Sequence, residues 1–419
     1  MPKVLFFVTE DWFFVSHFLA MAGAARAQGL DLVVATRVRD HRAQLETNGI
    51  RVHALNVERK SLGLLTGIRN LMSAIRIVRA ERPDVVHCIA LRPVVMGGIA
   101  TKLGARCPLI LAPTGLGLLW VERGWGAGLL RGLVRAIVGS WLRGPNTRYL
   151  FENRDDPREF GLDPDGPEVT IVGGAGADAA EFPMAPEPPA PPLKVAVVAR
   201  MIAPKGIAEA VEAVRRARAA GAPIELHLFG GLDPSSRRAI SADLLHRWSS
   251  EPGISWHGPT ADVPRVWREH HVALFLSYYR EGVPRTLIEA AASGRAIVTT
   301  DMPGCRDVVR DQVSGILVPP HDVEAAARAL VLLATDPALR ARMGAAANKH
   351  FHEHFTVTSV QSAVGRLYRS LVDASHLPGD SKNVTGSCST LVDRTSALEA
   401  RILRSIQWLS RRMTNLAGN

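Results

Sequence analysis

Four cysteines in 419 residues is few, and they are far apart. Cys88, Cys107, Cys305 and Cys388 form neither a disulfide framework nor a Cys-x-x-Cys metal pattern, so buried free thiols are the expectation and the Asn383-Val384-Thr385 sequon is incidental. Long hydrophobic runs are missing too. Nothing approaches the roughly 18 to 20 apolar residues of a membrane-spanning helix, which excludes that class of integral protein. In "MPKVLFFVTEDWFF" acids follow a short apolar run at once, without the longer apolar region and small-residue cleavage site of a secretory leader, so a cytoplasmic location is expected. No G-x-G-x-x-G follows the first apolar run, where "TEDWFF" stands, which disfavours a nicotinamide-dependent dehydrogenase. No zinc-finger spacing, basic heptad or aromatic RNP stretch accompanies the formal charge of +10, so the anionic partner is not expected to be nucleic acid. No Asp-x-Asp motif is expected at a cleft-facing strand end, and Asp155-Asp156 is read as lying elsewhere.

What is present is a regular alternation. "KVLFFVT", "LDLVVAT", "PDVVHCIA", "PLILAP" and "TRYLFEN" are short, β-branched and apolar, and longer amphipathic stretches separate them, as in βα units with a parallel sheet. The pattern stops at "FPMAPEPPAPPL", Phe182 to Leu193, whose prolines deny donors to helix or sheet and favour an extended connector. It resumes with "KVAVVAR", "IELHLFG", "ISWHG", "VALFLS", "AIVTT" and "GILVPP". The fold class expected is therefore α/β, with two doubly wound Rossmann-like domains facing across a cleft, at residues 1–182 and 194–355, joined by a linker at 183–193. Residues 356–375 have helical spacing suited to packing back on the first domain. Residues 376–395 are rich in Ser, Thr, Gly and Asp and read as a flexible linker, and 396–419 as a basic amphipathic tail.

In such a fold, ligands bind beyond the carboxyl ends of the strands. "SYYREGVPRTLIEAAASG" follows the run "VALFLS" and carries Glu281 before a turn and Glu289 on the helix after it. Gly282 permits close backbone approach, Pro284 suits a first helical turn because it lacks a donor, and the N–H groups of Gly282, Val283, Arg285 and Thr286 on either side of it offer an anion site for a diphosphate. Carboxylates are poor neighbours for phosphate but good acceptors for paired hydroxyls, so the spacing suits one ligand held at hydroxyls, anion and hydroxyls. The alternative is an exposed loop acid and a helix acid paired with Arg285 four residues earlier. "VVARMIAPKG" adds Arg200 at a strand end and Lys205 in the following loop, two cations able to neutralise a diphosphate or, alternatively, a solvated basic turn.

"ARMIAPKG", "LFGG", "HGPTADV", "SYYREGVPRTLIEAAASGRAIVTTDMPGCRDVV" and "SGILVPPHD", in that order, resemble the donor half of the family 4 retaining glycosyltransferases of the GT-B fold. The resemblance implies that Arg200 and Lys205 bind the donor diphosphate, Glu281 faces the transferred sugar and Glu289 binds the ribose. It also implies that the turn at Gly230 and Gly231 approaches the nucleotide. "FVTEDWFFVSHFL", "TGLGLLW" and "RYLFENRDD" are similar to a bacterial subgroup that extends undecaprenyl-diphosphate-linked glycans with N-acetylhexosamines from UDP donors. That implies a UDP-sugar donor, a polyprenyl-diphosphate-linked acceptor and retention by front-side attack. No metal cofactor is required, because cationic side chains and a helix end replace one at the leaving diphosphate. Where family members carry a histidine after the strand "LILA", this chain has Pro113-Thr114-Gly115; His17 is a candidate on the acceptor side. A UDP-N-acetylglucosamine 2-epimerase shares the architecture and is the alternative chemistry.

"GLLWVERGWGAGLLRGLVRAIVGSWLRG" combines Trp120, Trp125 and Trp141 with Arg131, Arg135 and Arg143, residue types that settle at a bilayer interface. This predicts peripheral docking on an anionic membrane surface at the inner face of the cell membrane. The competing reading is an amphipathic helix packed on the first domain with a solvated arginine face.

Overall fold

The structure is a computed structural model and describes residues 1–55, 64–105, 107–234 and 236–376. The first sheet contains β1 (Lys3–Glu10), β2 (Asp31–Arg37), β3 (Arg51–Ala54), β4 (Val85–Ile89), β5 (Leu109–Ala112), β6 (Thr147–Phe151) and β7 (Val169–Ile171), in the spatial order β3-β2-β1-β4-β5-β6-β7. The second contains β8 (Leu193–Val198), β9 (Ile224–Phe229), β10 (Ile254–Gly258), β11 (Val272–Phe275), β12 (Ala296–Thr300) and β13 (Ile316–Val318), in the order β10-β9-β8-β11-β12-β13. All pairings in both sheets are parallel. Central strands such as β4 and β12 are buried at every residue, because helices cover both faces, and this is why their sequences are apolar runs rather than alternations.

The strand order reverses direction at β1/β4 in the first sheet and at β8/β11 in the second. Connections leaving such a pair diverge to opposite faces and open a crevice at the carboxyl ends. Each sheet therefore presents one crevice, and the loops that follow β1, β4, β8 and β11 supply its walls.

β8 begins at Leu193, where the Leu193 N–H donates to the Pro223 carbonyl, so the connector is one residue shorter than its proline content suggested. The connector is pinned along the second domain. Its carbonyls, which prolines leave as acceptors without donors, take hydrogen bonds from buried Arg295 (to Ala185, 2.7 Å) and from His271 (at Pro188, 2.9 Å). Arg340, only 3% exposed, grips Glu187 through both oxygens. At the far end of the second domain the chain crosses back: Ala177 N–H donates to Phe355 and Val357 N–H to Ala177. The helix Val357–His376 then buries Val360, Val364, Leu367, Tyr368 and Leu371 in the same cluster as Val4, Phe6 and Val34 of the first sheet. Tyr368 Oη lies 2.7 Å from His87 Nδ1, and burial lowers the His87 pKa to about 3, so this histidine is a neutral core residue. The expected linker and basic tail lie, apart from His376, outside the described residues. Among the described residues Cys88 and Cys305 are buried free thiols and Cys107 is partly buried. No described helix is long and apolar enough to cross a membrane.

Candidate active site

The carboxyl end of β8 runs into Arg200, and a short 3-10 turn, Ala203–Lys205, follows. Gly206 closes that turn in the left-handed region (φ 73°) with the Leu276 backbone packed where a Cβ would project. A side chain here would be both strained and obstructed, so the glycine is what lets Lys205 stand against the loop after β11. Lys205 Nζ donates to Glu281 Oε2 at 2.5 Å and lies 5.1 Å from the centre of the Phe275 ring. The other oxygen, Glu281 Oε1, is 2.9 Å from Ser277 Oγ, whose single proton is shared between it and the Pro204 carbonyl at 3.1 Å. Both partners of the ion pair are largely shielded (13% and 16% exposed), so the pair is fixed more firmly than a surface salt bridge. Arg200 pairs with Asp233, 2.7 Å away in the loop after β9.

Pro284 sits at the N-cap in extended conformation, one position before the first helical residue, and the helix proper is Arg285–Ala292. Arg285 spans the domains: its Nε donates to Glu289 Oε1 at 2.7 Å and its Nη1 to the Ser16 carbonyl of the first domain. The helix pairing expected as an alternative for Glu289 is therefore present, in a buried setting rather than on a solvated face. Glu289 is 6% exposed, and burial pushes its pKa up to about 7 against the opposing pull of Arg285.

From the first domain, the helix Asp11–His17 after β1 brings His17 to the crevice. Burial, followed by the charges of Arg285, Lys205 and Arg200, lowers its pKa to about 4, so it is neutral at physiological pH. Ser16 Oγ donates to the Trp12 carbonyl at 2.7 Å and lies 2.6 Å from His17 Nδ1, an arrangement satisfied when Nδ1 carries the proton. His17 Nε2 is then an acceptor for a hydroxyl.

Glu152, immediately after β6, was not singled out in the sequence. Its Oε2 accepts the Val283 N–H at 2.8 Å, and a Cβ at Gly282 would collide with this carboxylate. Burial drives the Glu152 pKa up to about 7. The neighbouring acids also lie at this cleft-facing strand end, which corrects the expected position of Asp155-Asp156. Arg280 donates to Asp156 (3.1 Å) and Glu159 (2.7 Å), and Arg306 approaches Asp155 (3.4 Å). These acids are engaged in cross-domain contacts, as is the bridge between Gly115 and Glu281.

A cavity of about 470 Å³ lies among these groups, lined by His17, Thr114 to Leu119, Glu152, Arg200, Lys205, Glu281 and the stretch Gly282 to Arg285. Thr286 and Glu289 are not among the residues that line it. Gly230 packs against the Ala199 carbonyl and Gly231 near Pro259, and neither lines this cavity. The Gly231 carbonyl accepts the Met201 N–H just after β8 at 3.1 Å. Signals for the missed groups existed: "FENRDD" puts several acids at a strand end opposite "YYREG".

The tryptophan- and arginine-rich segment forms a short helix Leu118–Val121, a helix Trp125–Ala136 and a π-turn Ile137–Trp141. Trp120 is not on an outward face: its indole donates to Glu159 Oε2 at 2.9 Å and packs on Phe160. The arginines are also engaged, Arg131 with the Leu119 and Glu122 carbonyls, Arg135 with Glu159 and Arg143 with Glu168. Exposed on this segment are the apolar Trp125 (83%), Leu129, Leu130 and Leu133, with Trp141 beyond them, together with the half-exposed side chains of Arg135 and Arg143.

Two Rossmann-like domains whose switch points meet at one polar cavity define the GT-B architecture. Residues 3–135 match the family described as "Glycosyl transferase 4-like" and residues 192–336 the family described as "Glycosyl transferases group 1". Each half of the chain thus matches a glycosyltransferase family model, and the fold is GT-B. The putative colanic acid biosynthesis glycosyltransferase WcaL of Escherichia coli K12 is 31% identical over 171 residues, 39% of this chain and 41% of that protein. The match thus spans about two fifths of the relative's length. The N,N'-diacetylbacillosaminyl-diphospho-undecaprenol alpha-1,3-N-acetylgalactosaminyltransferase of Campylobacter jejuni is 22% identical over 317 residues, 72% of this chain and 81% of that one. Among solved structures, Anabaena HepE in complex with UDP and glucose superposes with a TM-score of 0.70 at 16% identity, covering 88% of this chain and 100% of that one.

Proposed function

We propose that this protein is a retaining, family 4 glycosyltransferase that moves a sugar, an N-acetylhexosamine in our reading, from a UDP donor to a polyprenyl-diphosphate-linked glycan during cell-surface polysaccharide synthesis. The observation that carries this is the meeting, in one cavity, of Arg200, the Lys205–Glu281 pair and the start of the helix Arg285–Ala292 with His17 from the other domain. Lys205 and Arg200 neutralise the leaving diphosphate, and the first-turn N–H groups add partial positive charge. In front-side attack the acceptor hydroxyl oxygen bonds to the anomeric carbon as the bond from that carbon to the diphosphate breaks, and the hydroxyl proton passes to the departing phosphate oxygen. This route asks no metal of the leaving group, since two cations already face it. Glu281 has one oxygen on Lys205 and the other on Ser277, which suits orientation of the sugar better than nucleophilic attack.

Support for the substrates comes from the activity for which the Campylobacter relative is named and from UDP in the HepE complex. The relatives named above are transferases, and the epimerase reading gains no support from them. Incubation with UDP-N-acetylhexosamines and a polyprenyl-diphosphate-sugar acceptor, followed by mass spectrometry, should show the acceptor gaining one sugar residue with release of UDP. Release of UDP-linked epimers without acceptor extension would favour the isomerase instead.

On this reading the enzyme works at the cytoplasmic leaflet. Docking rests on the apolar face of Trp125, Leu129, Leu130 and Leu133, with the half-exposed Arg135 and Arg143 and the net positive charge assisting on anionic lipid. Wild type should float with phosphatidylglycerol-containing vesicles. The variant W125S/L129S/L133S, altered only at exposed positions, should stay at the bottom of the gradient, and its continued flotation would remove this face from the docking surface.

A further inference from the structure

The last turn of the helix Pro337–His354 carries the sequence His350-Phe351-His352-Glu353-His354. Residues at i, i+3 and i+4 share one helical face. His350, Glu353 and His354 accordingly bring potential ligand atoms within 4.8 Å of one another, and Glu353 Oε2 is 3.8 Å from His354 Nε2.

His350 supplies a second, independent observation. It is 8% exposed, and its Nε2 lies 2.9 Å from the Asp307 carbonyl. A carbonyl oxygen can only accept, so Nε2 carries the proton and Nδ1 holds the lone pair. That Nδ1 is buried and has no hydrogen-bond partner. An unpaired buried acceptor is costly, and a ring whose far nitrogen donates to a backbone carbonyl is in the tautomer of a metal-binding histidine. The His354 ring stands over it in an edge-on contact, 4.8 Å between centroids, and its side chain is half exposed, so it is free to turn. The unsatisfied carbonyls of a last helical turn also favour a cation.

We propose that His350, Glu353 and His354 form a zinc-class divalent metal site, with two imidazole nitrogens, one carboxylate oxygen and a remaining position for water. Two nitrogens and one oxygen suit zinc, a borderline-soft cation, better than magnesium or calcium. None of the three residues lines the cavity between the domains, so the role is structural. The site lies at the end of the helix that leads into the chain crossing at Phe355 and Val357, and a bound ion would staple that turn.

The test uses tag-free full-length protein titrated with zinc chloride by calorimetry, alongside thermal unfolding. The expected result is one saturable zinc per chain and a Tm that rises with zinc concentration, since a ligand of the folded state stabilises it by mass action. His354→Gln and Glu353→Gln, both at exposed positions, should each weaken binding by about a hundredfold or more, since even loss of an outer-shell partner costs tenfold to a hundredfold. His257→Gln, in a separate histidine cluster, should leave it unchanged. Absence of saturable binding up to millimolar zinc, or binding that is indifferent to His354→Gln, would overturn the proposal.

Discussion

Lys205→Ala should lower turnover by roughly a hundred- to a thousandfold, about 3 to 4 kcal/mol, the loss typical of a preorganised donor aimed at developing charge. In the proposed reaction the diphosphate gains negative charge as the glycosidic bond breaks, and Lys205, 13% exposed, acts where water screens it little. The variant has a second consequence that must be separated from the first. Removing the ammonium leaves Glu281 shielded with only Ser277 to bond it, and an uncompensated carboxylate in that position destabilises the fold. The double variant Lys205→Ala/Glu281→Gln removes both charges, so it should recover most of the lost Tm. It should not recover turnover. Single-turnover rates of transfer, measured beside thermal unfolding, distinguish the two effects. Restoration of activity by Glu281→Gln in the Lys205→Ala background would show that Lys205 serves the fold and not the leaving group.

The fold was legible because parallel strands buried on both faces leave a coarse mark. β4 reads "VVHCI" and β12 "AIVTT", and neither alternates, so helices had to lie on both sides. The connector was legible because six of the residues between Phe182 and Leu193 are prolines with no donor to give. Lys205 and Glu281 were legible because each precedes a glycine in the loop after a strand, where local backbone geometry and chemistry coincide, and Glu289 because it lies on the helix that follows the same turn. Glu152 was not, since its role depends on Gly282 and Val283, more than a hundred residues away in the other domain. The same holds for Asp156 and Glu159, which a local reading sees only as acids after a strand and which the fold delivers to Arg280. The tryptophan- and arginine-rich segment shows the limit most plainly. Composition gave the residue types of an interface but could not tell that Trp120 and Arg131 are engaged in intramolecular bonds while Trp125, Leu129 and Leu133 stay exposed.

The affinity for UDP should rise about tenfold between pH 6 and 8 through Glu289. Burial holds this carboxyl protonated up to about pH 7 in the free protein. In the proposed complex it accepts hydrogen bonds from the two ribose hydroxyls, an arrangement that favours the ionised form. Binding below pH 7 must therefore expel a proton, which weakens it by up to about tenfold per pH unit, while above pH 7 the carboxylate is already formed and the dependence vanishes. The sign is that of a group whose pKa falls on binding: affinity is lost as pH drops. Glu289→Gln keeps the size of the side chain and an oxygen to accept from Arg285, but has no proton to expel and offers the ribose a weaker acceptor. It should bind UDP at least about tenfold less tightly than wild type at pH 8, as loss of a charge-assisted pair of hydrogen bonds costs about 1.5 to 3 kcal/mol. UDP itself titrates in this range, and so does Glu152, whose pKa is also raised to about 7. Both contributions are common to the two proteins and cancel in the ratio of their affinities, which isolates Glu289. Calorimetric titration of each protein at pH 6, 7 and 8 should give a ratio that grows with pH. Equal affinities at pH 8 would take Glu289 out of the nucleotide site and leave it as the buried partner that holds Arg285 across to Ser16.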